Sequence, residues 1–154
     1  TPHPGELSRL LNISEVNLKD RLELNKEISK KIKKISVLKG ARTLISNPKG
    51  ETYINLTGSP AMATAGSGDV LVGVIASLIA QGIDLFNAAI IGTYIHGLAG
   101  DMASEEIGQR SVIATDIMSK IPDAFLRIEG VSPDNFTFLK LVFEGSLSSS
   151  GSPI

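Results

Sequence analysis

Apolar and polar positions fall into blocks along this chain, and each block predicts an element. After the turn-prone residues Pro2 to Gly5, Glu6 to Leu11 reads as a short helix. Leu18, Leu22, Ile28, Ile32 and Ile35 then recur at near-helical spacing among charged residues, which predicts an amphipathic helix from about Asn17 to Lys33. Ser36 to Lys39 and Thr43 to Ser46 read as short strands, and the turn Asn47-Pro48-Lys49-Gly50 sends the chain back through Glu51 to Leu56. Three helices follow: a largely apolar one from Val70 to Ala80, a second from about Asp84 to Glu106, and a third running to about Ile128. Thr115 or Asp116 is the expected cap of the third, and Pro122 a point where it could divide. A strand, a hairpin and several buried helices predict an α/β layered domain.

The remaining segment differs. From Val131 to Ile154 the chain passes through Ser-Pro-Asp-Asn, then Phe136 to Phe143, and ends in Ser/Gly-rich residues whose last ten read as disordered. The expected division is a domain over residues 1–130 and an atypical, partly disordered tail over 131–154.

Composition narrows the function classes. A chain of 154 residues is long enough for one domain with a sizeable core. Fifteen basic residues against sixteen acidic ones provide no global field for a nucleic acid or an anionic membrane, so any anion site must be local. The cluster Lys30, Lys31, Lys33 and Lys34 reads as a solvated face at a helix C-terminus. With no cysteine there is no disulfide, thiolate metal site or thiol nucleophile, which fits a cytoplasmic protein. The longest apolar stretches, Val70 to Ala80 and Ala88 to Ile95, are too short to span a bilayer, and no secretory leader opens the chain. It does not begin with Met, and the expectation is a segment of a longer protein.

Candidate chemistry concentrates in the run from Asn55 to Asp69, where small residues crowd a turn that feeds the apolar helix. A glycine turn before a helix leaves the first backbone N–H groups without intrahelical partners at the positive end of the helix dipole, a ready site for phosphate oxygens. Asp69 stands beside it. A carboxylate there is repelled by bound phosphate unless it has work to do, such as taking a proton from a hydroxyl that attacks phosphorus. The plainer alternative is that Asp69 caps the helix.

These residues, with Thr1-Pro2-His3-Pro4-Gly5-Glu6 upstream and Leu38-Lys39-Gly40-Ala41-Arg42-Thr43 between, resemble the ADP/ATP-dependent NAD(P)H-hydrate dehydratases of the ribokinase-like superfamily. The similarity runs from about Thr1 to Arg127, roughly the second half of a complete family domain. It implies a partial ribokinase-like three-layer domain, a central sheet flanked by helices, with one sheet edge exposed. The implied activity is repair: hydrated NADH or NADPH is dehydrated at the expense of ADP or ATP. Phosphorylating the ring hydroxyl converts hydroxide, a poor leaving group, into phosphate.

By the resemblance, Asp69 is the base and also contacts the substrate, as does His3. Lys39, Gly40, Ala41, Arg42 and Thr43 match the nucleotide-binding stretch. Ser59, Pro60, Ala61, Met62, Ala63, Thr64, Ala65, Gly66, Ser67 and Gly68 form the phosphate turn, with Gly68 a nucleotide contact. The family usually has Asn and Gly where this chain has Ser59 and Ala61, and the methyl at position 61 restricts the backbone. Glu6 is read as serving the helix start, and His96 as a buried, hydrogen-bonded packing residue. Mg²⁺ is expected to arrive on the nucleotide phosphates, because no dedicated ligand cluster is visible. Assembly as a homo-oligomer and an upstream epimerase domain in the parent protein are further expectations. Two other classes stay open: a ribokinase-like kinase for a vitamin or other small molecule, and a nucleotide-binding or assembly module without turnover.

Overall fold

The computed structural model describes residues 1–12 and 20–129. Its elements run α1 (Pro4–Leu11), α2 (Arg21–Ile32), β1 (Ser36–Leu38), β2 (Leu44–Ser46), β3 (Thr52–Ile54), α3 (Ser67–Ala80), α4 (Leu85–Ile107) and α5 (Ala114–Glu129), with one 3₁₀ turn at Pro60–Met62. The expectation for the tail over 131–154 lies outside the described residues, as do residues 13–19; the helix expected from about Asn17 to Lys33 is α2, which begins at Arg21 behind the N-cap Asp20 and ends at Ile32.

The strands pair antiparallel in the order β1-β2-β3, with Val37 opposite Ile45 and Leu38 opposite Leu44. Successive side chains on a strand point to opposite faces, so this register sorts the core. Val37 and Ile45 pack with Leu71 of α3 and with Ala89 and Ile90 of α4. Leu38 and Leu44 pack with Leu7 of α1 and Ile28 of α2. The sheet is therefore the middle of three layers. A larger cluster joins α3, α4 and α5 through Val74, Leu78, Ile91, Ile95 and Ile117. Each such aliphatic side chain contributes about 1.5–3 kcal/mol by leaving water.

The α2 side of the sheet also holds a polar seam. Asn25, Ser29 and Ser46 are fully buried and Ser36 nearly so. Asn25 Nδ2 donates to Leu44 O at 3.1 Å and Ser46 Oγ at 2.8 Å, while Asn25 Oδ1 accepts from Ser36 Oγ at 2.7 Å. Ser29 Oγ donates to Ser46 O at 3.0 Å. Burial without partners is costly for such groups, and here one amide satisfies several at once.

Helix ends differ in detail from the sequence reading. The third predicted helix begins at Ala114, so neither Thr115 nor Asp116 is its cap residue; instead Asp116 Oδ2 reaches back to accept the Ile113 N–H at 2.9 Å. Pro122 lies inside α5, which runs through it undivided. The apolar helix starts earlier than its apolar residues, at Ser67, behind Gly66 in the left-handed region at φ 85°. Asn47 Oδ1 fixes the hairpin turn by accepting the Lys49 and Glu51 N–H groups at 3.0 and 3.1 Å.

Helix α4 is mostly buried and forms the spine of the molecule. At Gly97 the loop after β3 presses on it so closely that an added Cβ would lie 2.2 Å from Thr57 Oγ1 and 2.8 Å from the Thr57 carbonyl carbon. Gly97→Ala gains up to about 1 kcal/mol of helix propensity but forces that backbone aside. Overpacking of this kind costs about 1–3 kcal/mol, toward the upper end where backbone must move, so a net loss of about 1–2 kcal/mol is expected in chemical denaturation. A variant as stable as the wild type would contradict the packing described.

Candidate active site

A cavity of about 800 Å³ opens between the ends of the strands and the N-terminus of α3. Four segments converge on it. The first is the N-terminal segment ahead of α1, fastened by Lys39 N–H donating to Pro2 O at 2.9 Å, which sets His3 beside β1. The second is the loop Lys39–Thr43 after β1. The third is the loop from Asn55 through the 3₁₀ turn, and the fourth is the first turn of α3 backed by Thr93, His96 and Gly97 of α4.

Helix α4 holds the third segment in place. Thr57 Oγ1 donates to Tyr94 O at 2.9 Å, Asn55 Nδ2 donates to Thr57 O at 3.1 Å, and Asp101 Oδ2 accepts the Gly58 N–H at 2.8 Å. Asp101 thus fixes a loop rather than facing the cavity. Ser59 Oγ is buried without a hydrogen-bond partner, on a residue of the cavity wall.

At the head of α3 the Asp69 and Val70 N–H groups bond to Gly66 O, at 3.0 and 3.1 Å, whereas the Gly68 N–H has no acceptor among the described residues. A methyl built on Gly68 would stand 3.0 Å from Lys39 Nζ. An ammonium group therefore lies against the positive end of a helix, and no carboxylate comes within 4.0 Å of it among the described residues. Like signs repel, so this juxtaposition is stabilised by an anion placed between them.

Asp69 is exposed, in the first turn of α3, and makes no capping hydrogen bond. The helix-capping alternative is thereby not realised, and the carboxylate is left unengaged at the edge of the glycine turn. It does not itself form part of the cavity wall, nor do Ala61, Ala65 and Gly66; Ala61 is buried in the core. Of the residues marked in the sequence, His3, Lys39 to Thr43, Ser59, Pro60, Met62, Ala63, Thr64, Ser67 and Gly68 are brought together on the wall.

His3 carries a structural duty as well. Its Nδ1 accepts the Gly5 and Glu6 N–H groups at 3.0 and 3.2 Å, and its own N–H donates to Glu6 Oε2 at 2.7 Å, a reciprocal cap of α1. An accepting Nδ1 leaves the ring proton on Nε2. Glu6 thus serves the helix start, as the sequence implied.

His96 is buried on the cavity wall with Nε2 3.4 Å from Ser67 Oγ. Desolvation pushes its pKa down to about 4, against a small opposing effect from Ser67. In the unfolded chain a histidine titrates near about 6.5. The unfolded state therefore binds the proton first, and stability falls as pH drops from about 6.5 toward 4. The expected loss reaches about 3 kcal/mol across that window, and His96→Gln should flatten the profile of melting temperature against pH. A wild-type profile already flat between those limits would refute a buried neutral ring.

Sequence reasoning missed two contributors. Thr57, on the wall, is read in the sequence only as part of a small-residue run. Arg21, outside the wall, sits in a charged helix and gives no signal distinguishing it from the lysines that follow.

A profile of the NAD(P)H-hydrate dehydratase family matches residues 1–123. The chain belongs to that family. The bifunctional NAD(P)H-hydrate repair enzyme Nnr of Moorella thermoacetica is 47% identical over 130 residues, which is 84% of this chain and 24% of that protein. The ADP/ATP-dependent NAD(P)H-hydrate dehydratase of Bacillus subtilis, co-crystallised with ATP and Mg²⁺, superposes with a TM-score of 0.77 at 31% identity, covering 82% of this chain and 46% of that one. A ribokinase-like superfamily protein of Enterococcus faecalis matches with a TM-score of 0.67 at 33% identity, over 82% and 43% of the two chains. The three-layer arrangement is thus part of the ribokinase-like fold of the dehydratase family. This chain spans about a quarter of the length of the curated bifunctional relatives it matches (24%). Among the described residues no helix is long and apolar enough to cross a membrane.

Proposed function

We propose that this chain forms the nucleotide-binding side of a dehydratase that repairs hydrated NADH or NADPH at the expense of ADP or ATP. The observation that carries the reading is the Lys39 ammonium set against the unpartnered Gly68 N–H at the head of α3, on the wall of the cavity. Charge-assisted bonds from both would hold phosphate oxygens. The names of the Bacillus subtilis structure, with its ATP and Mg²⁺, and of the relatives support the same chemistry.

No group of three or more His, Asp or Glu able to hold a metal occurs among the described residues. The donor set on the wall, an ammonium and backbone N–H groups, suits phosphate and not a cation. Mg²⁺ fits this site only as part of a nucleotide complex, where it neutralises phosphate charge.

Asp69 takes the proton from the ring hydroxyl as its oxygen bonds to the terminal phosphorus and the bond to the nucleoside phosphate breaks. The ring C–O bond then breaks, phosphate departs, and loss of a proton from the neighbouring ring carbon restores the double bond. His3 is assigned to the substrate, with Nε2–H, which faces Glu6 Oε1 at 3.5 Å, as the donor it would turn toward it. Homo-oligomeric assembly, a cytoplasmic setting and an epimerase domain elsewhere in the parent protein belong to the same proposal.

The test is conversion: hydrated NADH supplied with ADP or ATP and Mg²⁺ should regain the absorbance of the reduced nicotinamide and release phosphate. Lys39→Met should weaken ADP binding by about tenfold or more, as expected for losing a charged hydrogen bond to phosphate. Unchanged affinity would remove the carrying observation. A second reading, nucleotide binding without turnover, is favoured by the position of Asp69 outside the cavity wall. Nucleotide binding with no conversion would select it, while a stable phosphorylated vitamin alcohol would select a kinase.

A further inference from the structure

Arg21 is a buried guanidinium that the chemistry above leaves unused. It is 8% exposed, its Nε has no partner, and no carboxylate pairs with it among the described residues. Burial accordingly lowers its pKa. An uncompensated buried charge is costly, and such a residue persists where it holds something in place. Its two bonds are to one loop: Nη1 donates to Ala41 O at 2.8 Å and Nη2 to Lys39 O at 3.3 Å.

Those two carbonyls belong to alternate residues and turn toward the same fork. In a trans peptide the carbonyl and the following N–H point in opposite directions. The N–H groups of Gly40 and Arg42 are therefore directed away from Arg21, and neither has an acceptor among the described residues. Both residues line the cavity.

The loop is shaped for this. Gly40 adopts φ 135°, and a Cβ there would lie 3.1 Å from Arg21 Nη2. Arg42 takes a left-handed φ of 58°, a conformation that costs a non-glycine residue about 1 kcal/mol. Successive N–H groups exposed by such a bend form an anion-binding concavity.

We infer that Arg21 is a positioning residue: by drawing the Lys39 and Ala41 carbonyls to one side, it presents the Gly40 and Arg42 N–H groups, with the Lys39 ammonium, to the phosphates of a nucleotide. The inference rests on the nucleotide reading above and deepens it. Lysine at this position keeps the charge but cannot span both carbonyls.

The experiment measures calorimetric affinity of the wild type, Arg21→Lys and Arg21→Gln for ADP and for adenosine, which lacks the phosphates. Both variants are expected to bind ADP at least about tenfold more weakly while adenosine affinity stays within about twofold, as for lost charge-assisted contacts. Equal weakening toward both ligands, or unchanged ADP affinity, overturns the positioning role and leaves the nucleotide reading standing. A wild type that binds no ADP overturns both. Should the variants fail to fold, amide exchange on the wild type decides: bound ADP must slow exchange at Gly40 and Arg42, and bound ADP without that protection overturns the inference.

Discussion

Asp69→Ala should lower conversion of hydrated NADH by about 10²-fold or more, the scale on which a positioned general base contributes, while ADP affinity holds or rises slightly. The sign of the second effect follows from charge. Asp69 stands in the first turn of α3, beside the proposed phosphate position, so removing its carboxylate removes a repulsion toward phosphate. A small loss of stability is also expected, because an acid in the first turn favours the helix dipole by about 0.3–1 kcal/mol. That loss is too small to explain a hundredfold defect, so melting temperatures measured alongside separate the two. An Asp69→Ala protein that still converts hydrated NADH at the wild-type rate would end the assignment of the base.

Asn25→Leu should be among the most destabilising single changes in the chain, at about 3 kcal/mol. The substitution keeps the branching of the side chain but enlarges it in a fully buried position, so overpacking adds to the polar loss. It leaves the Ser36 hydroxyl, the Ser46 hydroxyl and the Leu44 carbonyl without the amide that joins them. All three lie in the dry layer between α2 and the sheet, where an orphaned group costs about 1–3 kcal/mol; the Ser46 hydroxyl keeps a second partner in Thr52, and Leu44 stays paired in the ladder between β1 and β3. Against a total stability of about 5–15 kcal/mol for a domain this size, the urea midpoint should move far down. A shift equivalent to less than about 1 kcal/mol would mean that Ser36 and Leu44 find other partners. Ser36→Ala, which orphans one buried acceptor, Asn25 Oδ1, rather than several groups, should cost less, about 1–3 kcal/mol.

The elements were readable because their signals are local. Asn47-Pro48-Lys49-Gly50 marks the hairpin by turn chemistry alone, and Asp84 marks the start of α4, where its side chain accepts the Phe86 and Asn87 N–H groups. The two faces of the sheet were not readable. Strands of three residues, buried throughout in β1 and β2, show no alternation, so only the pairing register tells that Val37 faces α3 and α4 while Leu38 faces α1 and α2.

The candidate site divides in the same way. The glycine turn announces itself by crowding small residues before an apolar helix, and Lys39 by its place at a strand end. Arg21 could not be found by such means, since its partners are backbone carbonyls eighteen and twenty residues away and carbonyls have no sequence signature. Thr57 and Asp101 likewise bond to backbone groups, thirty-seven and forty-three residues away. His96 reads in the sequence as a buried packing residue, and it is buried, but its place on the cavity wall follows from how α4 crosses behind α3.

The contact between Gly97 and Thr57 bears on how this protein can drift. The two positions share one small volume, so enlarging residue 97 is tolerable only after residue 57 has shrunk or its segment has shifted. Shrinking residue 57 first merely opens a gap and forfeits a hydroxyl contact, whereas the opposite order passes through a steric clash. Mutational paths through this pair are thus one-way, and related sequences should carry a bulkier residue at 97 only alongside a smaller one at 57.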